Sequence, residues 1–159
     1  MAGSRLRIDR GSWLVAAQVV CLLVVWLWPA PPRWSLPTWV TAACWVVVAL
    51  ALVFGLWGAG VLGRHLRVHP APARRAELRT DGAYGWVRHP IYAAVLLGSA
   101  AGAVQAARPE PLLGLVALVL VLHVKAGYEE QLLRARFGEA YDVYASRVPR
   151  LVPDPFARS

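Results

Sequence analysis

The sequence predicts an all-α protein, a membrane bundle of four transmembrane helices with an amphipathic helix after the last one. Three observations lead there. Hydrophobic residues fill 58% of the 159 positions and the mean hydropathy is +0.47, where an ordinary soluble domain has about 45–50% apolar residues. That excess is gathered in a few long runs rather than spread through short amphipathic stretches, as helices facing lipid require. The basic residues sit between the runs and alternate in density from one gap to the next, the pattern that fixes orientation in a bilayer.

The first span covers about 13–28, short for a crossing but within reach of the lower limit of ~17 residues. Arg5, Arg7 and Arg10 precede it as in a signal peptide. The run ends in Trp26-Leu27-Trp28-Pro29 with no small-residue cleavage site, so a retained helix is expected. Pro29, Pro31, Pro32 and Pro37 then forbid a continuous helix. Trp26, Trp28, Trp34 and Trp39 flank this linker as an aromatic belt at the headgroup level. The second span, 38–62, is amply long.

A polar stretch from Gly63 to Arg88 follows. Pro90, suited to a first helical position, opens the third span, 90–107, whose Gly98, Ser99, Ala100, Ala101, Gly102 and Ala103 favour close helix approach. Arg108-Pro109-Glu110-Pro111 turns the chain into the fourth span, 112–128. Beyond it Leu133, Phe137, Tyr141, Tyr144 and Val148 recur at helical spacing, with charges off that face and Gly138 as a point of interruption. This segment is expected to lie against the bundle or the membrane surface. A single domain, 1–159, is the natural count.

The net charge is +8, and sixteen of the seventeen basic residues are Arg. Fifteen of the seventeen fall on the side of the termini and the central loop; only Arg33 and Arg108 fall on the other. The positive-inside rule then puts both termini in the cytoplasm. Membrane lipids become the expected partners, and nucleic acid is excluded because no basic stripe or motif forms. The Arg bias and the absence of Asn point to a high-GC bacterial genome, hence to a bacterial inner membrane. Cys21 and Cys44, both inside apolar runs, read as small buried hydrophobes. His65, His69 and His123 lack metal-ligand spacing, so no metal is expected.

Two polar clusters flank the third and fourth spans. Gly82-Ala83-Tyr84-Gly85-Trp86-Val87-Arg88-His89-Pro90-Ile91-Tyr92 is a loop leading into a helix N-terminus, either an anion-binding start or a plain helix start with aromatic interface anchors. Lys125, Glu129 and Glu130 stand where the fourth span leaves the bilayer. They are either a polar site or two i, i+4 pairs, Lys125 with Glu129 and Glu130 with Arg134. Adjacent glutamates diverge by about 100° on a helix, so they are not expected to share one group.

Taken together, Leu78-Arg79-Thr80-Asp81-Gly82-Ala83-Tyr84, Val87-Arg88-His89-Pro90-Ile91-Tyr92, Glu129-Glu130-x-x-Leu133, Phe137-Gly138-Glu139-x-Tyr141-x-x-Tyr144 and Val148-Pro149-Arg150-x-x-Pro153 resemble the signature of the isoprenylcysteine carboxyl methyltransferase and phospholipid methyltransferase superfamily. The resemblance covers 63–153. It implies an integral membrane methyltransferase that uses S-adenosyl-L-methionine and acts on a lipophilic acceptor, an isoprenylcysteine-type carboxylate or a lipid-like small molecule. It implies a cofactor site at Leu78, Arg79, Tyr84, His89, Pro90, Ile91, Tyr92 and Glu129. Arg88, His89 and Glu130 are then catalytic candidates, and Lys125 a substrate-binding one. Three departures stand out: Lys125 where Arg is more usual, Ala94 where a Gly is common, and His65 where an Asn is common. The competing readings are an NADPH-dependent reductase of the sterol-reductase type, with Arg74, Arg75 and Arg79 for the 2′-phosphate, and a non-catalytic membrane protein of the same fold.

Overall fold

The structure, a computed structural model, describes residues 10–63 and 78–153. Arg5, Arg7, Arg64, His65, Arg67, His69, Arg74, Arg75 and Arg158 lie outside the described residues. The regular elements among the described residues are all helical: α1 (Arg10–Leu27), α2 (Thr38–Leu62), a 3-10 turn (Gly82–Gly85), α3 (Pro90–Gln105), α4 (Pro109–Phe137) and α5 (Glu139–Arg147). Two of these helices, α2 and α4, are long and apolar enough to cross a bilayer. Two shorter ones, Gly11–Leu27 within α1 and Pro90–Gln105, are also apolar. At 1.5 Å per residue the short pair reaches roughly 24–27 Å, against a hydrocarbon core of about 30 Å.

The helix ends follow from local chemistry. Pro109 and Pro111 sit in the first turn of α4, where a missing N–H costs nothing. From there α4 runs unbroken past residue 128 to Phe137, so the amphipathic stretch begins as a continuation of the fourth apolar helix. Gly138 adopts φ +54°, a left-handed conformation open to glycine, and breaks the stretch into α4 and α5.

Packing sets the order α2, α3, α4, α1, with α1 also touching α3. Helices α2 and α3 approach closely. A methyl placed on Gly58 would come within 3.0 Å of the Pro90 ring, and one on Gly55 within 3.1 Å of Ala94 Cβ. Ala94 therefore costs no intimacy, because Gly55 on the facing helix yields the room. The outward side of α2 presents Trp39, Trp45, Val46, Leu50, Leu52, Val53, Leu56 and Trp57, all exposed.

At one end the 28–37 linker is latched to the turn between α3 and α4. The Arg33 N–H donates to the Ala107 carbonyl at 2.9 Å, and Arg108 donates to Glu110 at 2.9 Å and to the Pro31 carbonyl at 2.7 Å. Trp26, Trp28, Trp34 and Trp39 are exposed around this end. The loop before α3, the C-terminal half of α4 and α5 gather at the other end, and the polar clusters meet there.

Candidate functional site

Two fully buried side chains, Ala83 and Val87, pin the loop that leads into α3. Between them the Tyr84 N–H donates to the Asp81 carbonyl at 3.1 Å and the Val87 N–H to the Ala83 carbonyl at 3.3 Å, tightening the chain into its 3-10 turn. The next two N–H groups, freed by the extended geometry ahead of Pro90, are taken by the C-terminal segment. Arg88 N–H donates to the Pro149 carbonyl at 2.8 Å and His89 N–H to the Arg150 carbonyl at 3.1 Å. Tyr144 adds its hydroxyl to the Tyr84 carbonyl at 2.7 Å, and Arg88 Nη1 donates to the Ala145 carbonyl at 2.6 Å. Residues 144–150 thus strap the loop down and fix where His89 points.

His89 is 7% exposed and stands between the two glutamates of α4. Its Nε2 lies 3.2 Å from Glu130 Oε1 and its Nδ1 3.5 Å from Glu129 Oε2. The sequence argument that adjacent glutamates diverge is sound, but an imidazole carries two nitrogens on different edges, so diverging carboxylates converge on one ring. The ring stacks on Tyr92, with centroids 5.3 Å apart and planes within 2°. Tyr92 in turn donates its hydroxyl to Glu129 Oε1 in a short hydrogen bond.

Glu130 is the most heavily engaged group. Arg150 binds it with both arms, Nε to Oε1 at 2.9 Å and Nη2 to Oε2 at 2.6 Å, and Arg88 Nη2 approaches Oε1 at 3.2 Å. Neither i, i+4 pair considered for α4 is what holds these side chains. Arg134 bonds Asp142 of α5 at 2.6 Å, and Lys125 donates to Gln18 Oε1 of α1 at 2.8 Å. Glu130 goes to Arg150 because that bidentate geometry is worth more than an exposed helix-face pair.

Of the residues singled out by sequence, Arg88, His89, Tyr92, Lys125, Glu129 and Glu130 form one connected cluster. Tyr84, half-buried, is close enough for the Glu129 charge, after burial, to push its phenol above the usual range. Pro90 and Ile91 turn to α2, where Gly58 faces them. Leu78 is half-buried and Arg79 exposed at the start of the described loop. Arg150 and Gln18 escaped assignment. Arg150 was visible in the Val148-Pro149-Arg150 string, and Gln18 is the lone amide in the first apolar run, a position where a polar residue marks function by default.

Burial by itself lowers the His89 pKa, but hydrogen bonds and charge from Glu129 and Glu130 outweigh it and carry the group above its ordinary value. A raised histidine pKa stabilises fully below the unfolded value of about 6.5 and loses that contribution as pH climbs through the folded value. Thermal melting of the wild type and His89→Gln in detergent, between about pH 6 and pH 9, should show the wild-type advantage shrinking toward the alkaline end. A constant difference would mean that His89 is neutral in the fold.

No protein-family profile matches the chain. Curated relatives do. Methanethiol S-methyltransferase 2 of Bradyrhizobium diazoefficiens is 30% identical over 172 aligned positions, covering 96% of this chain and 62% of the relative. Protein-S-isoprenylcysteine O-methyltransferase B of Arabidopsis thaliana is 35% identical over 89 positions, 54% of this chain and 45% of the relative. The nickel-cobalt-cadmium resistance protein NccN of Alcaligenes xylosoxydans xylosoxydans is 28% identical over 148 positions, 90% of this chain and 63% of the relative. The chain spans less than two thirds of the length of each.

Proposed function

We propose that this chain, which belongs to the isoprenylcysteine carboxyl methyltransferase-like family of membrane methyltransferases, transfers a methyl group from S-adenosylmethionine to a small or lipophilic acceptor. In this reading all four apolar helices, α1 to α4, cross the membrane as one domain. The strap and the ionic cluster then lie at the cytoplasmic face of a bacterial inner membrane, the side where the sequence concentrates Arg.

The observation that carries the reading is the state of the two carboxylates. Glu130 is consumed by Arg150 and Arg88, while Glu129, with a side chain 19% exposed, has no guanidinium on it among the described residues. A part-exposed carboxylate beside two phenols is a fitting receptor for the ammonium or ribose hydroxyls of S-adenosylmethionine. The cofactor supplies an electrophilic methyl on a sulfonium. Tyr92 is already stacked on His89 and has Lys125 Nζ 5.0 Å from its ring centre. A cation–π contact to the sulfonium therefore falls to Tyr84 or to Trp86, which is 48% exposed.

The same geometry restricts the chemistry. Two carboxylates draw His89 toward its charged form, and a Glu130 held by two guanidiniums is a weak proton acceptor, so this reading places neither as a general base. His89 orients Glu129, and Arg88 neutralises Glu130. The acceptor has to bring a nucleophile that needs no strong base, such as a carboxylate or an easily ionised thiol. The bundle contributes water exclusion and alignment for in-line transfer.

Calorimetry on the detergent-purified chain tests this, with S-adenosylmethionine and NADPH as separate titrants. Binding of S-adenosylmethionine with a roughly micromolar Kd is expected. Binding of NADPH alone would carry the reductase reading instead. Folded protein that binds neither would be a non-catalytic relative.

A further inference from the structure

The end of the bundle away from His89 holds a second polar feature, which methyl transfer leaves unused. The 28–37 linker folds over the end of α3 and encloses an open cavity of about 630 Å³ lined by Arg33, Trp34, Ser35, Thr41, Gln105 and Ala107. Sites for small polar ligands have volumes of roughly 300–1,000 Å³. The walls are held in place. The Arg33 N–H donates to the Ala107 carbonyl at 2.9 Å, and Ala107 keeps a left-handed φ of +51° at that corner. Arg108, itself buried, ties Glu110 to the Pro31 carbonyl beside it.

The cavity offers two complementary demands. Gln105 Oε1 is buried and, among the described residues, accepts no hydrogen bond, which is costly for an amide oxygen. The second demand is for negative charge. Arg33, with a side chain 59% exposed, reaches Glu110 Oε1 at 2.7 Å, but Arg108 already donates to both oxygens of that carboxylate. Arg33, Arg108 and Glu110 are the only charged residues in 28–37 and 105–112, so this end carries one positive charge in excess. Helix α2 also starts here without a side-chain cap among the described residues, and its first N–H groups add to the positive potential.

Depth selects the source of the anion. Helix α3 has only 16 residues, so Gln105 at its last position stands near the edge of the hydrocarbon, where lipid headgroups are the abundant polar neighbours. The exposed Trp28, Trp34 and Trp39 mark the same level. We propose that this cavity binds a phospholipid headgroup that ends in a hydrogen-bond donor, such as ethanolamine, with the phosphate on Arg33 and the donor on Gln105 Oε1. Choline lipids carry the phosphate but no N–H or O–H, so Gln105 is the selecting residue. The proposal rests on the membrane reading of α1 to α4 and not on methyl transfer. The lipid held here is not the methyl acceptor, because the His89 cluster stands at the opposite end of the bundle.

The test is native mass spectrometry of the full chain released from detergent, with dioleoylphosphatidylethanolamine and dioleoylphosphatidylcholine in competition. Both lipids are zwitterionic, so attraction to the Arg-rich opposite end does not separate them. The ethanolamine lipid should bind roughly three- to tenfold more tightly, the worth of one hydrogen bond. Gln105→Leu should erase that preference and leave phosphatidylcholine binding as it was. Arg33→Gln should weaken both lipids by roughly tenfold. Arg108 keeps Glu110 and the Pro31 carbonyl in that variant, so the linker should stay in place. If Arg33→Gln does not fold, Gln105→Leu decides. The proposal is overturned if the two lipids bind alike or if the preference survives Gln105→Leu. It is also overturned if glycerophosphoethanolamine, the same headgroup without chains, displaces the lipid at equal concentration, since a soluble phosphate ester would then be the ligand. A chain that stays dispersed without detergent would bring down the membrane reading first, a distinguishable result.

Discussion

Glu130→Gln is expected to be the most destabilising single change at the site, costing about 3 kcal/mol, the lower end of what breaking a buried ion pair costs. The side chain is 7% exposed and accepts from Arg150 twice, from Arg88 and from His89. Glutamine keeps the volume but removes the charge, so His89 is left with Glu129 as its remaining carboxylate, and the part-buried Arg88 keeps the Ala145 carbonyl but loses its carboxylate. Arg150, 31% exposed, recovers part of its loss in water, which is why the lower end applies. The damage should spread, since the strap that seats His89 runs through Pro149 and Arg150. Arg150→Met should cost less, because Glu130 then retains Arg88 and His89. Denaturant unfolding in detergent of the two variants checks the order. A Glu130→Gln loss below about 1 kcal/mol, or a larger one for Arg150→Met, would mean that the charges are shared differently.

The helices were legible because membrane-scale hydrophobicity is a local property. The second span was expected at 38–62 and α2 is Thr38–Leu62; the first and third were expected at 13–28 and 90–107 and are Arg10–Leu27 and Pro90–Gln105. The fourth continues nine residues past its expected end because helical hydrogen bonding does not stop where apolar sequence does. The site was legible only as a set of residues. Its members came from two short strings, but their partners did not. Gln18 and Lys125 are 107 positions apart, and Arg150 reaches back 20 positions to Glu130. Spacing favoured the local pairs Lys125 with Glu129 and Glu130 with Arg134. Nothing within one turn of helix could show that α1 brings an amide and the C-terminal strap a guanidinium. Lys125 shows the consequence: as a helix-face cation it is ordinary, but the fold buries it against an amide from α1 and the Tyr92 ring.

Glu129→Ala should reduce S-adenosylmethionine affinity by on the order of 100-fold, about 2.7 kcal/mol, while leaving the fold nearly intact. The asymmetry between the two neighbouring glutamates is the reason. Glu129 holds Tyr92 and one edge of His89 but no guanidinium among the described residues, so its loss strands no permanent cation. His89 keeps Glu130 on its other edge. The stability cost should stay within the ~1–3 kcal/mol of an orphaned polar group, since the Tyr92 hydroxyl is left without its acceptor. His89→Ala should weaken cofactor binding too, by a smaller factor, because it acts through Glu129. Tyr92→Phe should separate the two effects: it keeps both carboxylates and frees one Glu129 oxygen, so binding should fall about tenfold at most. The cycle between His89→Ala and Glu129→Ala should then be non-additive, with His89→Ala doing little once Glu129 is gone. Additive losses would mean that His89 meets the cofactor itself, and an unchanged affinity in Glu129→Ala would remove Glu129 from the binding site altogether.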